Sequence, residues 1–293
     1  MTGPQPLEPH QVRHTVSTGG QHPQMRQTES IKPPDSDPGT GAGVATEVGV
    51  GGDEGWPRTV EAALAVQERL RPLVDLVGPG PSRPATVAGL DVAYAESGDL
   101  LAAAVTVLDA ATLAVVDRAV HVGVPSFGYV PGLFAFRELP ALLAALDALR
   151  IRPDLLVCDG HGLAHPRRFG LACHIGVVTG LPAIGVGKTP LVGEWTGPAW
   201  ERGASAPLVD GGETVGRVLR TRDGVKPVFV SVGHRTGLDE AVDRVLALTP
   251  RHRLPETTRT ADRLCREALA AAGRGAGRGA AGPAGDHRHR SAR

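Results

Sequence analysis

From residue 56 to residue 271 the chain alternates between two hydrophobic periods, and the segments on either side follow neither. Ala63, Val66 and Leu70 recur at helical spacing and predict a helix over residues 59–71. Apolar runs over 86–92, 100–108 and 113–120 predict three consecutive strands, joined by short turns at Ser97-Gly98-Asp99 and at 109–112. Helical spacing returns at Leu139, Leu143 and Leu146, in a helix predicted over 133–149 that Pro140 kinks or restarts. A short buried strand at 155–158, a helix at 169–179 and a strand at 183–186 come next. Residues 193–216 are Gly-rich and read as irregular, ahead of strands at 215–220 and 228–232. Leu238, Val242, Val245 and Leu246 give a last apolar helix face, with Thr236 and Asp239 as a capping box at its start. Three antiparallel strands followed by alternating helices and strands predict an α/β fold, a mixed sheet with helices packed on it.

Composition divides the chain into three parts. Residues 1–55 are rich in Gly, Pro, Ser, Thr and Gln and are expected to be a disordered tail, because they cannot bury enough apolar surface to offset ordering. Residues 272–293 read as a second disordered tail of Gly, Ala and Arg, leaving one domain over 56–271. No apolar run reaches the roughly 20 residues of a membrane span, and no signal-peptide pattern opens the chain. A cytoplasmic monomer with no membrane partner is therefore expected. Cys158, Cys173 and Cys265 are too few and too scattered for a disulfide framework and read as reduced buried thiols. Formal net charge is zero, so a nucleic-acid partner would need a local basic surface. Candidates are Arg167 with Arg168, then Arg217, Arg220, Arg222 and Lys226, then Arg251 with Arg253. Lysine occurs only at 32, 188 and 226, so a lysine at a motif position asks for a specific role.

Two carboxylates stand where apolar residues belong. Asp91 interrupts Val87-Ala88-Gly89-Leu90-Asp91-Val92-Ala93, and Asp159 ends Leu155-Leu156-Val157-Cys158-Asp159-Gly160. An ionised carboxylate in such a strand is costly unless paired or bound to a cation. Turn-capping aspartates are the alternative, but two strand-end acids together favour a site. Glu138, ordinary on its own, would complete an oxygen-rich set suited to Mg²⁺ or Mn²⁺. His234, after the strand at 228–232, is either a ligand or proton shuttle or a structural loop histidine. Of ten aromatic residues, Phe127, Tyr129, Phe134 and Phe136 fall together, and Tyr129 lies in a Gly/Pro-punctuated loop from which a ring could wedge into a base stack. Two look-alikes fail. Gly187-Lys188-Thr189 lacks the earlier glycine of a phosphate-binding loop, with Pro182 in its place. His161 and His165 flank Gly162 and precede Pro166, which argues against a zinc-binding helix.

Longer blocks carry a resemblance. Ala88-Gly89-Leu90-Asp91, the run from Tyr129-Val130-Pro131-Gly132 to Arg137-Glu138, and Asp159-Gly160-His161-Gly162-Leu163-Ala164-His165-Pro166-Arg167 resemble the endonuclease V family. So do Ile184-Gly185-Val186-Gly187-Lys188-Thr189, the run from Lys226-Pro227 to Gly233-His234-Arg235, and Arg253-Leu254-Pro255-Glu256-Thr257-Thr258-Arg259. The resemblance implies an RNase H-like fold and Mg²⁺-dependent cleavage of DNA at the second phosphodiester 3′ to deoxyinosine, leaving 3′-hydroxyl and 5′-phosphate ends. It implies a metal site of Asp91, Glu138 and Asp159 with His234 beside it, and Lys188 on the phosphate. Tyr129 would be the wedge, and Phe134, Gly160, Gly162, Gly170 and Leu191 would line the base pocket. Gly128 and Phe134 depart from the family, which typically has proline and leucine there. An inosine-specific endoribonuclease, another RNase H-like nuclease or a noncatalytic binder are the other readings; all three acids being present argues against the last.

Overall fold

The computed structural model describes residues 55–78, 80, 83–96 and 99–279. The predicted tails, apart from Gly55 and residues 272–279, lie outside the described residues, as do Ser97 and Gly98 of the first predicted turn. Helix α1 (Val60–Leu70) is capped by Thr59, whose hydroxyl accepts from the Ala62 amide at 3.2 Å, and it buries Ala63, Gln67 and Leu70. Strands β1 (Thr86–Tyr94), β2 (Leu101–Asp109) and β3 (Val115–Gly123) form an antiparallel meander. Helix α2 (Phe134–Asp147) leads to β4 (Leu155–Cys158), and α3 (Leu171–Thr179) leads to β5 (Ala183–Gly187). Both strands lie parallel to β1. Strands β6 (Ser205–Asp210), β7 (Glu213–Leu219) and β8 (Val228–His234) continue the sheet antiparallel beyond β5, and α4 (Leu238–Ala247) and α5 (Glu256–Gly279) close the order. The result is one eight-stranded sheet, β3-β2-β1-β4-β5-β8-β7-β6, the mixed α/β architecture expected of an RNase H-like protein. Among the described residues no helix is long and apolar enough to cross a membrane.

Helices cover both faces. Ala88, Leu90, Ala103, Val105 and Leu156 pack on α2 and α3. On the other face Val87, Val157, Ile184 and Val230 pack on α4, and Ala102 and Ala104 pack on α5 through Ala261 and Cys265. The small residues of β2 let α5 approach closely. At Gly89 the helix backbone is so near that a Cβ would sit 2.1 Å from the Thr257 carbonyl.

Four features differ from the sequence reading. The stretch expected to be irregular contains β6, an edge strand that tolerates Pro207, turned into β7 by Gly211-Gly212 at φ +61° and +82°. Helix α5 went unpredicted; it buries Ala261 and Cys265 rather than leucines, and it runs past residue 271 to Gly279. The capping box does not form: Thr236 is buried and Gly237 takes the cap position of α4. Pro140 lies inside α2 rather than restarting it. It has no N–H for the Phe136 carbonyl four residues back, and the Trp56 indole donates to that carbonyl instead, at 3.0 Å.

His174 on α3 is fully buried, ringed by Trp56, Phe136 and Phe169, with neither ring nitrogen hydrogen-bonded. Burial pushes its pKa from 6.5 down to about 3. As pH falls through that window the unfolded chain takes a proton that the folded one refuses. The stability associated with neutral His174 is therefore complete above pH 6.5 and lost progressively towards pH 3. His174→Leu removes two unsatisfied polar atoms and should raise stability at pH 7 by roughly 1 kcal/mol. It should also flatten the acid limb of a pH series of melting temperatures. A variant that melts lower at pH 7 and keeps the wild-type acid limb would contradict this.

Candidate active site

Strands β1 and β4 run parallel with Leu90 opposite Cys158, so the next residue of each, Asp91 and Asp159, meets the other at one end of the sheet. The Asp159 amide donates to the Leu90 carbonyl at 3.2 Å, which fixes the spacing. The two carboxyl groups stand close enough that the charge of one acts strongly on the other. Burial, and then the charge of Asp159, raise the Asp91 pKa well above the usual carboxylate range. Strand β5 ends at Gly187, and the Lys188 ammonium that follows it donates to Asp159 Oδ2. Burial works against the Lys188 charge, but the bond to Asp159 and the fields of Asp91 and Asp262 outweigh it and raise its pKa.

Glu138 comes from α2. It is buried, and its Oε1 accepts from the Tyr94 hydroxyl at 3.2 Å. Burial chiefly, helped by the field of Asp159, pushes its pKa up to about 8 against the Tyr94 bond and Arg137. Tyr94 lies three residues beyond Asp91 on β1, with the Arg137 guanidinium 4.8 Å above its ring. Among the described residues no three His, Cys, Asp or Glu side chains stand close enough to hold a metal ion as placed. Of the three acids expected to hold the metal, Asp91 and Asp159 are neighbours, with Lys188 bonded to Asp159, while Glu138 accepts from Tyr94. The donors nonetheless suit a hard cation: they are carboxylate oxygens, and two of the three acids are driven towards the neutral form by burial, a penalty that a cation would relieve.

His234 is not in this group. It ends an apolar strand much as Asp159 follows one, but β8 runs antiparallel to β5 and pairs His234 with Ala183, at the start of β5, whereas Lys188 follows its end. Four residues separate the two ends, roughly 13 Å at about 3.3 Å per residue. His234 Nδ1 accepts from the Asp75 amide at 3.1 Å, the bond of a structural histidine.

Beside Asp159 opens a cavity of about 300 Å³. Gly160, Gly170, Phe134 and Leu191 line it, and Tyr129 stands at its rim, 71% exposed and edge-on to Phe134 at 5.9 Å. Gly162 does not line it. That residue packs behind the wall, where a Cβ would meet the Val232 carbonyl at 2.0 Å, and its amide donates to Ser231 Oγ. His161 and His165 also face the cavity, and burial lowers both pKa values, His165 to about 4, so both are neutral at pH 7.

Several expected DNA-facing cations are engaged inside the chain. Arg167 binds Gln67 and the Gly132 carbonyl, Arg168 binds Asp210 and Glu213, and Arg220 caps the Pro198 and Ala199 carbonyls. Arg217 pairs with Asp239 at 3.3 Å. Arg253 donates to the Lys188 carbonyl at 2.7 Å and so helps set that lysine. Arg222, Lys226 and Arg251 remain exposed.

Sequence reasoning passed over Gln67 and Asp262. Gln67 is buried and donates to the Gly132 and Phe169 carbonyls, tying the aromatic loop to the cavity floor. Its place on the buried side of α1, beside Ala63 and Leu70, was the available signal. Asp262 lay hidden with the unpredicted α5 and brings a further acid within reach of Asp91 and Lys188.

Known proteins resemble this chain in sequence and in fold. The family model described as endonuclease V matches residues 68–263. Endonuclease V of Streptomyces coelicolor is 61% identical over 226 residues, 76% of this chain and 97% of that protein. The crystal structure of endonuclease V from Streptomyces avermitilis aligns with a TM-score of 0.72 at 60% identity, over 75% of this chain and 96% of that one. The structure of Ciona intestinalis endonuclease V, in complex with a 24mer DNA containing an inosine followed by a ribo-adenosine, gives 0.65 at 25% identity, over 73% and 98%. Because the match takes in the acid pair, the aromatic loop and Asp262 together, this chain belongs to the endonuclease V family.

Proposed function

We propose that the chain nicks DNA at deoxyinosine, cutting the second phosphodiester on the 3′ side and leaving 3′-hydroxyl and 5′-phosphate ends, with Mg²⁺ or Mn²⁺ as cofactor. The observation that carries this reading is the contact between cavity and acids: Asp159 belongs to both. A base held in the cavity therefore keeps its own strand at the carboxylates. The walls suit an uncharged base, since both histidines are neutral and glycine leaves backbone groups within reach. Hypoxanthine differs from adenine in a carbonyl at position 6 and a proton at N1, an edge that backbone donors and acceptors can read.

Asp91, Asp159 and Glu138 would hold the metal. When bound, such ions activate a water and stabilise the leaving oxygen in phosphodiester hydrolysis. Lys188, bonded to Asp159 at this site, would lie beside the scissile phosphate, where its ammonium would offset developing charge. Incubation with Mg²⁺ and labelled duplexes carrying deoxyinosine, uracil or an abasic site tests the reading. A single nick two bonds 3′ to inosine is expected, lost in chelator; equal cutting of undamaged duplex would overturn it.

Tyr129 is the wedge in this reading. Its exposure rules out a role as a core aromatic. Tyr129→Ala should weaken binding of inosine-containing duplex by roughly 1–3 kcal/mol, and by less on single strands, where no base need be unstacked. The melting temperature should not move. A destabilised variant with equal loss on every substrate would instead mark Tyr129 as structural.

A further inference from the structure

Tyr129 and Phe134 form a ridge with a cavity on each side. The first cavity is the one beside Asp159. The second, about 420 Å³, is walled by Tyr94, Leu100, Tyr129, Phe134 and Arg137, with Asp99 at its edge. The ridge is common to both; beyond it the first cavity is lined by glycines, two neutral histidines, Phe169 and leucines, a mixed wall with polar groups that can read an edge. The walls of the second are planar: two phenol rings, a phenyl ring, and a guanidinium stacked 4.8 Å over the Tyr94 ring. Flat aromatic and guanidinium surfaces accept the face of any nucleobase, because every base has a π-face, and they read no edge.

The two cavities also flank the acids. The first reaches them through Asp159. The second reaches them through Tyr94, whose hydroxyl binds Glu138, and through Arg137, the residue before Glu138. A strand with a phosphate at the acids therefore has a place for a base on either side. We propose that the second cavity is a stacking subsite for one unpaired nucleobase of the lesion strand, the second base 3′ to the one held in the first cavity. This rests on the reading of the first cavity as a base pocket. It accounts for a cut displaced from the lesion: two bases, one read by its edge and one held by its face, fix which phosphodiester lies at the carboxylates. Arg137 also donates to the Phe127 carbonyl at 2.9 Å, so the ridge-bearing loop and the stacking wall are built as one unit.

The test is a coupling measurement with metal-free protein and single-stranded oligonucleotides, so that no base pairing has to be broken. Each strand carries inosine, then one thymine, then either adenine or an abasic residue. Wild type should lose roughly tenfold in Kd when that second 3′ position is abasic. Leu100→Trp, which fills the second cavity, should lose less than about twofold for the same change. Leu100→Phe serves if the larger variant melts early, with an intermediate loss expected. Replacing inosine by adenine in the same strand is the control for the first cavity and should weaken both proteins. Absence of that inosine preference in wild type would overturn the base-pocket reading. A preference that persists, with equal abasic losses in wild type and variant, would overturn the subsite alone. So would coupling seen only when the abasic residue lies opposite the lesion in a duplex.

Discussion

Asp91→Asn should all but abolish nicking while leaving the protein folded and able to bind inosine-containing DNA. A metal ion at a phosphodiester supplies several kcal/mol of transition-state stabilisation. At 1.36 kcal/mol per tenfold, loss of a ligand should slow the chemical step by roughly 10³-fold or more. The fold should respond in the opposite direction. Burial and the neighbouring Asp159 disfavour the Asp91 charge, so its ionisation above the usual carboxylate range costs the native state stability. Asparagine is never charged, and the metal-free variant should melt at or above wild type at pH 7. Adding Mg²⁺ should raise the melting temperature of wild type more than that of the variant. Single-turnover cleavage and melting curves with and without metal check both halves. Near-normal turnover would remove Asp91 from the metal site.

Gly89→Ala should damage the fold severely, although it adds only one methyl group. The added carbon would lie 2.1 Å from the carbonyl carbon and oxygen of Thr257 and 2.6 Å from the Thr258 amide, all backbone atoms with no rotamer to yield. Either α5 lifts from β1 or the strand bends, and overpacking of this kind costs about 3 kcal/mol or more. Since α5 carries Asp262 towards Asp91, activity should fall along with stability. Urea denaturation gives the stability change. A variant within about 0.5 kcal/mol of wild type would mean that α5 is not packed as described.

How much of this was legible in the chain depended on whether the signal was local. Strand β4 was readable to the residue because four consecutive buried apolar residues leave no alternative. Asp91 and Asp159 were readable because a carboxylate inside an apolar strand is anomalous wherever the strand lies. His234 misled because a strand end has no address until pairing direction is known, and the antiparallel course of β8 sent it to the far side. Gly162 was placed near the right element, yet its close neighbour, the Val232 carbonyl, is 70 residues away. Edge strand β6 and helix α5 were missed because proline in one and small apolar residues in the other weaken the periodic signal. The arginines misled in another way. A sequence shows their charge but not the carbonyls and carboxylates that occupy them.

The seat of α5 on Gly89 also has a consequence for synthesis. Gly89 and Thr257 are 168 positions apart, so the ribosome must add all of those residues before the sheet can receive its cover. At about 5–20 residues per second that is roughly 10–30 s, during which the face of β1 and β2 that carries Ala102 and Ala104 has no helix to lie against. Asp262 arrives only with that helix. A nascent chain halted before it would hold Asp91 and Asp159 in an open sheet, exposed to chaperones and proteases, with the last acid still unmade.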